Sequence, residues 1–380
     1  MRTLAATRRP ALVALLIAEA MNLLDATVVQ VAAPVVHTDL GGPVSDVQWF
    51  TAAYTLPFAV LLVLGGRLGD IVGRRRVFVT GVAAFAAVSA GCALAPSAGV
   101  LIGLRAVQGA AAAAVVPQTV GLIKAMFSGP ELPRALGWIG PVMGLAGVCG
   151  PVLGGVLTRT VSWRAAFLVN VPLAVAVLVL ARSLPEDRAP ARPGLDLTGT
   201  GLLAFGTGLV VHPLIGVSGV SWGSLAAGAV VLAVFVLHQR RTPKPLLEPS
   251  LFAQRAFPAA LFTSTAFFAV TGGLTTVVVL HLQLGLGRGV LASSLALAPW
   301  SLGLAVASWS AGAHLVRRYG RRMMPVGLGV LIAGLWGHLW CRCRSGSRWS
   351  GSGRGCSRPR SSPSRCRPCG LRRRGRRRGC

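Results

Sequence analysis

Three ionisable side chains stand inside apolar runs long enough to cross a bilayer. Glu19 and Asp25 interrupt the run from Ala11 to Val36, and Arg105 interrupts the run from Val100 to Ile123. A charge at such a depth costs several kcal/mol, on the order of 3 by insertion scales, unless it is paired, hydrated or neutralised. A carboxyl there can take up and release a proton, whereas an arginine keeps its charge and needs an anionic or strongly polar partner. Asp25 is therefore read as the proton carrier, Arg105 as its electrostatic partner, and Glu19 as a second group for a proton or a substrate. Counted from the same end of their helices, Arg105 lies about 7 residues deep and Asp25 about 11, an offset of about 6 Å that an arginine side chain spans. Glu19 points about 120° away from Asp25 around the helix, with Asn22 between them. A structural reading stands beside this one: each carboxyl satisfied by neighbouring helices, and Arg105 bonded to helix carbonyls.

The elements that carry these groups follow from composition. The chain has 380 residues, 53% hydrophobic and only 13% charged, against about 25% charged in a soluble domain. Charges cluster in short segments between apolar runs of about 20 residues, the length of a transmembrane helix. Because hydrocarbon offers no hydrogen bonds to backbone groups, each run is expected to be helical. Eleven spans are expected: Ala11–Val36, Trp49–Gly66, Val77–Leu94, Val100–Ile123, Ala135–Leu157, Ala165–Leu180, Leu197–Ile215, Ser221–His238, Phe257–Leu282, Leu291–Leu315 and Met323–Trp340. Arg2, Arg8 and Arg9 precede a first run too long for a signal peptide's apolar core. With the N-terminus in the cytoplasm, 20 Lys and Arg fall in inner segments and 3 in outer ones, the bias that sets orientation.

Several motifs lie on this frame. Gly66-Arg67-Leu68-Gly69-Asp70-Ile71-Val72-Gly73-Arg74-Arg75-Arg76 follows the second span, with a degraded echo at Ala313-His314-Leu315-Val316-Arg317-Arg318-Tyr319-Gly320-Arg321-Arg322. In the echo Arg317 stands where Asp70 stood, so no acid role transfers to it. The first span contains Leu24-Asp25-Ala26-Thr27, and the fourth contains Gly103-Leu104-Arg105-Ala106-Val107-Gln108-Gly109. The fifth contains Gly144-Leu145-Ala146-Gly147-Val148-Cys149-Gly150-Pro151-Val152-Leu153-Gly154-Gly155, followed by Ser162-Trp163-Arg164 and Asn170-Val171-Pro172. Helical spacing puts Gly137, Gly140, Gly144, Gly147, Pro151, Gly154 and Gly155 on one narrow face, where small residues permit close helix packing and Pro151 a bend.

Together these stretches resemble the fourteen-helix drug:proton antiporter branch of the major facilitator superfamily, over about residues 8–336. The resemblance implies an all-α polytopic fold built from two six-helix halves. It also implies a cytoplasmic gating loop (Gly66, Asp70, Gly73, Arg74) and an antiporter motif (Gly144, Gly147, Gly150, Pro151, Gly154, Gly155). Residues 1–184 would form the N-terminal half, 185–255 an inserted helix pair with its linkers, and 256–340 the first three helices of an incomplete C-terminal half. The implied function is proton-coupled export of small amphipathic or hydrophobic compounds, drugs and antibiotics among them, across a bacterial cell membrane. Its partners would be the substrate, the proton and the bilayer.

The net charge of +28 does not by itself mark a nucleic-acid binder. Residues 341–380 hold 14 arginines and no acid, and 38 of those 40 residues are Arg, Ser, Gly, Cys or Pro. All five have GC-rich codons, so a reading-frame shift near Gly337–Trp340 is expected. The chain alone would then be an inactive fragment of an exporter. A basic tail binding nucleic acid or anionic lipid is the other reading, and a uniporter or symporter of the same fold is a further one. No nucleic-acid partner is expected for the body. The sequence holds no G-x-x-x-x-G-K-[ST] phosphate loop, and its scattered His and Cys make no metal constellation. No cofactor, metal site or catalytic activity is expected.

Overall fold

A computed structural model describes residues 2–187, 194–215, 221–242, 245–246 and 256–289, with isolated positions from 291 to 306. All of these belong to a unit spanning Met1–Arg318. The expected eleventh span, the degraded loop echo and the Arg-rich tail lie outside the described residues, as does most of the tenth span.

Long apolar runs punctuated by Gly, Pro and Ser fold into helices throughout. These are α1 (Arg2–Leu40), α2 (Asp46–Val72), α3 (Arg74–Ala93), α4 (Ala98–Met126), α5 (Glu131–Gly137), α6 (Ile139–Thr160), α7 (Trp163–Leu168), α8 (Asn170–Leu180), α9 (Leu197–Ile215), α10 (Trp222–Arg241) and α11 (Ala256–Leu280). They make nine candidate membrane spans among the described residues, α5–α6 and α7–α8 each forming one. The fold is all-α and polytopic, and the first nine expected spans are in place.

Helix starts have local causes. Ser97, Ser162 and Ser221 each accept a backbone N–H of the following turn with the side-chain oxygen, satisfying a donor that the helix cannot. Asp196 does the same for α9 through Gly199, at 2.7 Å. Helix α2 ends at Gly73, whose φ of 117° is a conformation that side chains with a Cβ rarely adopt.

Two differences from the expected boundaries matter. Helix α2 continues six residues past Gly66 to Val72, because Arg67 and Asp70 find partners that let charged residues remain helical. The fifth span runs from Glu131 to Thr160, starting before Ala135, with one turn residue, Trp138, whose φ of −74° and ψ of −21° remain helical.

The first six spans enclose the core. Helices α2 and α4 make the closest pair, and α1 runs along α6. A Cβ on Gly65 would overlap the Ala113 carbonyl, and one on Gly109 would overlap the Tyr54 carbonyl, so both glycines let backbone meet backbone. Gly69 is covered by the Gln118 side chain, whose amide donates to the Gly65 carbonyl at 2.8 Å. Helices α9 and α10 pair with each other, and α9 lies on α2. In the candidate span containing α11 only 6% of the most apolar stretch is buried.

Asp196 also holds the α9–α10 pair together. It accepts from Gln239 at 2.7 Å, and His238 Nε2 lies 3.0 Å from its other oxygen. Burial pushes its carboxyl up, but the Gly199 N–H, His238 and Gln239 outweigh this and hold it below the ordinary value of 3.8. The sign follows: a depressed folded-state pKa contributes stability above the unfolded value, and that contribution is lost as pH falls through the folded one. Asp196→Asn keeps a capping oxygen but removes the charge that faces His238 and Gln239. It is expected to destabilise the pair by about 1 kcal/mol at pH 7, the difference between hydrogen bonds to a charged and to a neutral group. The gap to the parent closes below about pH 4, and urea unfolding of the chain in micelles across pH measures it.

Candidate functional site

Several polar residues of the apolar spans converge on one buried cluster. Asp25 of α1 and Arg105 of α4 are 2% and 0% exposed, and Arg105 Nη1 donates directly to Asp25 Oδ2. The other carboxylate oxygen accepts from Gln108 Nε2 at 3.0 Å and from Asn170 Nδ2 at 2.7 Å. Ser89 of α3 accepts from both amides, at 2.7 and 3.2 Å. Arg105 also donates from Nε to the Phe50 carbonyl at 3.0 Å and from Nη1 to Gln108 Oε1 at 2.8 Å. Its guanidinium lies 4.4 Å from the centre of the Tyr54 ring and 6.0 Å from that of Phe167. A cation over an aromatic face gains further attraction where water is excluded. Six helices (α1, α2, α3, α4, α7 and α8) meet through this one ion pair.

The Asp25–Arg105 proximity argued from helical depth is therefore present. Gln108, Asn170 and Ser89 were not singled out from the sequence, although each is a polar residue inside an apolar run, and that is the signal that would have found them. Glu19 is buried at 5% exposure beside Thr119 of α4, separate from the Asp25 cluster. Asn22, between the two acids on α1, is 7% exposed, and neither of its amide atoms has a hydrogen-bond partner among the described residues.

The loop between α2 and α3 forms a second charged group. Arg74 donates to Asp70 at 2.8 and 3.1 Å and to Asp187 at 2.7 Å. Its own N–H bonds the Asp187 carbonyl at 3.0 Å. Asp70 pairs with an arginine as expected, whereas Asp187, after α8, is a partner the sequence did not disclose. Gly66 is not a point of tight approach: a Cβ there would sit 3.5 Å from Pro117, an ordinary contact. Close packing falls instead to Gly65 and Gly69.

The glycines of α6 meet α1 over only part of the expected face. A Cβ on Gly150 would overlap the Thr27 side chain, and one on Gly154 would stand 3.2 Å from Val28. A Cβ on Gly147 would be 4.0 Å from Leu23, and those on Gly137 and Gly140 would meet nothing within 4 Å. Gly144, Pro151 and Gly155 are buried. The antiporter-like stretch is thus the surface on which the helix bearing Asp25 rests. At the α1–α2 end, Trp163 Nε1 and Arg164 Nη1 donate to Asp39 at 2.8 and 3.0 Å, fixing the other end of α1.

The described spans bundle membrane-length helices around a buried ion pair, the framework of a polytopic membrane protein. The chain belongs to the major facilitator superfamily, whose model matches residues 15–351. It is 43% identical over 344 residues to the "Probable actinorhodin transporter" of Streptomyces coelicolor, covering 87% of this chain and 60% of that protein. It is 36% identical to the puromycin resistance protein pur8 of Streptomyces alboniger, covering 83% and 64%. It is 32% identical to the tetracenomycin C resistance and export protein of Streptomyces glaucescens, covering 89% and 64%. The chain thus spans less than two thirds of the length of these bacterial relatives. A structure of the proton:xylose symporter XylE shares the fold at a TM-score of 0.56 and 13% identity, covering 83% of this chain and 70% of that one.

Proposed function

We propose that the chain supplies the proton- and cargo-handling part of an exporter of small amphipathic or hydrophobic compounds, antibiotics among them, driven by inward proton flow. The observation that carries this reading is the buried Asp25–Arg105 pair, joined to six helices. Protonating Asp25 removes the charge that faces Arg105, so the guanidinium, the two amides and Ser89 must find new partners. Proton arrival and helix rearrangement become one event. Glu19, with the unsatisfied amide of Asn22 one turn away, provides a second polar position on α1 for a proton or a cargo group. The loop salt bridges of Asp70, Arg74 and Asp187 act as the gate on the cytoplasmic side, with the N-terminus also cytoplasmic and the protein in the cell membrane. The relatives' printed roles in antibiotic export and resistance support the cargo class. Transport would proceed by alternating access, with two halves rocking about the site.

Ethidium uptake by everted vesicles tests this. The protein is expected to take up the dye when a proton gradient is imposed, and its Asp25→Asn variant is expected to lose that uptake. Proton-driven uptake that survives Asp25→Asn would sink the assignment of Asp25.

A further inference from the structure

The side chain of Arg67, on the extended turn of α2, leaves its own helix and reaches both segments that flank the α9–α10 pair. Nη1 donates to the Gly194 carbonyl at 2.7 Å, just before α9. Nη2 donates to the carbonyls of Pro245 and of Leu246, the latter at 3.1 Å, just after α10. The two segments are themselves cross-braced. The Leu246 N–H donates to Gln239 Oε1 at 2.6 Å, and the Gln239 amide donates to Asp196 at 2.7 Å. Leu246 is 7% exposed. At the opposite end of the same helices, the Trp49 ring of α2 and the His212 ring of α9 have centroids 5.8 Å apart. The pair is therefore held to α2 at two points a membrane thickness apart, and the Arg67 point uses charge-assisted bonds, roughly twice as strong as neutral ones.

We infer that Arg67 is a latch. By holding carbonyls from both linkers it fastens the inserted helix pair to α2, so that α9 and α10 travel with the first six helices as one body rather than trailing between the two halves. Arg67 stands three residues before Asp70 on the same helix end, and Arg74, which Asp70 binds, opens α3 just across Gly73. The latch and the loop salt bridges thus share one rigid mount, and movement of that loop carries the inserted pair with it. Neither the identity of the cargo nor proton coupling enters the inference.

Hydrogen–deuterium exchange of the full chain in lipid nanodiscs tests it. The reporters are the linker amides around Gly194–Thr200 and Thr242–Leu246. Arg67→Ala is expected to speed their exchange roughly tenfold or more, the size expected when hydrogen bonds to a charged group are lost. Protection across α1 and α4 should stay as in the parent. Arg67→Lys places one ammonium where a fork spanned three carbonyls, so a smaller rise at the same two linkers is expected. Arg76→Ala, on the same loop, should change neither. Unaltered linker exchange in both Arg67 variants overturns the latch. Should Arg67→Ala lose protection everywhere, Arg67→Lys decides: a rise confined to the two linkers supports the latch, and a uniform rise or none overturns it.

Discussion

Replacing Asp25 by Leu is expected to cost the folded chain about 3–5 kcal/mol, because Arg105 is left as a buried charge without its carboxylate. The same cost is expected for Arg105→Leu, which strands the carboxylate instead. The double variant should cost much less than the sum, since an apolar pair of similar volume often replaces a buried ion pair with little loss. Some cost remains, because the Gln108 and Asn170 amide donors lose Asp25 and keep only Ser89, while Gln108 Oε1 keeps the Cys92 thiol. Neutral contacts in the same cluster set the scale for comparison. Hydrogen bonds between membrane helices average about 0.6 kcal/mol, so Ser89→Ala should lie near that value and well below either charge deletion. Unfolding of the purified chain in mixed micelles, analysed as a double-mutant cycle, measures all four. Additive losses for Asp25 and Arg105 would show that the pair is not energetically coupled. Under the role proposed for Asp25, the free energy that holds the ion pair is what its protonation would make available for helix movement.

How much of this was legible beforehand follows from the physics of each feature. The nine spans were legible because span length and apolar content are set by the bilayer, which leaves a signal in every run. The Asp25–Arg105 pair was legible because a charge in hydrocarbon needs a partner and few residues at matching depth could supply one. Gln108, Ser89 and Asn170 were less so, because a neutral polar residue inside an apolar run signals a need for a partner but does not say which one until the helices have been brought together. The end of α2 was misplaced at Gly66 because Arg67 and Asp70 look like solvated loop charges in one dimension. In three dimensions Arg67 bonds linker carbonyls more than a hundred residues away, and Asp70 bonds Arg74 one turn on. The small-residue face of the fifth span was projected too far, because helical spacing tells which residues share a face but not how far a neighbouring helix runs along it: Gly137 and Gly140 meet no neighbour within 4 Å.

Gly109→Val is expected to be the most damaging single substitution in the packing of the first six helices, with a loss above about 4 kcal/mol, a size that marks an identifiable steric failure. The reason is what the new side chain would meet. Its Cβ would overlap the Tyr54 carbonyl oxygen, 2.9 Å from the carbonyl carbon and 3.2 Å from the Cα. These are backbone atoms of α2, fixed by that helix's own hydrogen bonds, so neither rotamer change nor side-chain yielding relieves the clash. Gly65→Val repeats the situation from the other side, against the Ala113 carbonyl and the Ala114 Cα at 3.1 Å. Forcing α2 and α4 apart also withdraws the Phe50 carbonyl and the Tyr54 ring from Arg105, so the packing defect reaches the ion pair directly. Gly69→Ala should cost less, because a side chain, Gln118, stands in its way. Gly103→Ala on the same helix as Gly109 meets nothing within 4 Å and should be neutral. Fluorescence-detected gel filtration of tagged variants reads the outcome: aggregated material for the two valines, a reduced monodisperse peak for Gly69→Ala, and a parental peak for Gly103→Ala. A monodisperse Gly109→Val protein melting with the parent would mean that the two helices do not meet backbone to backbone.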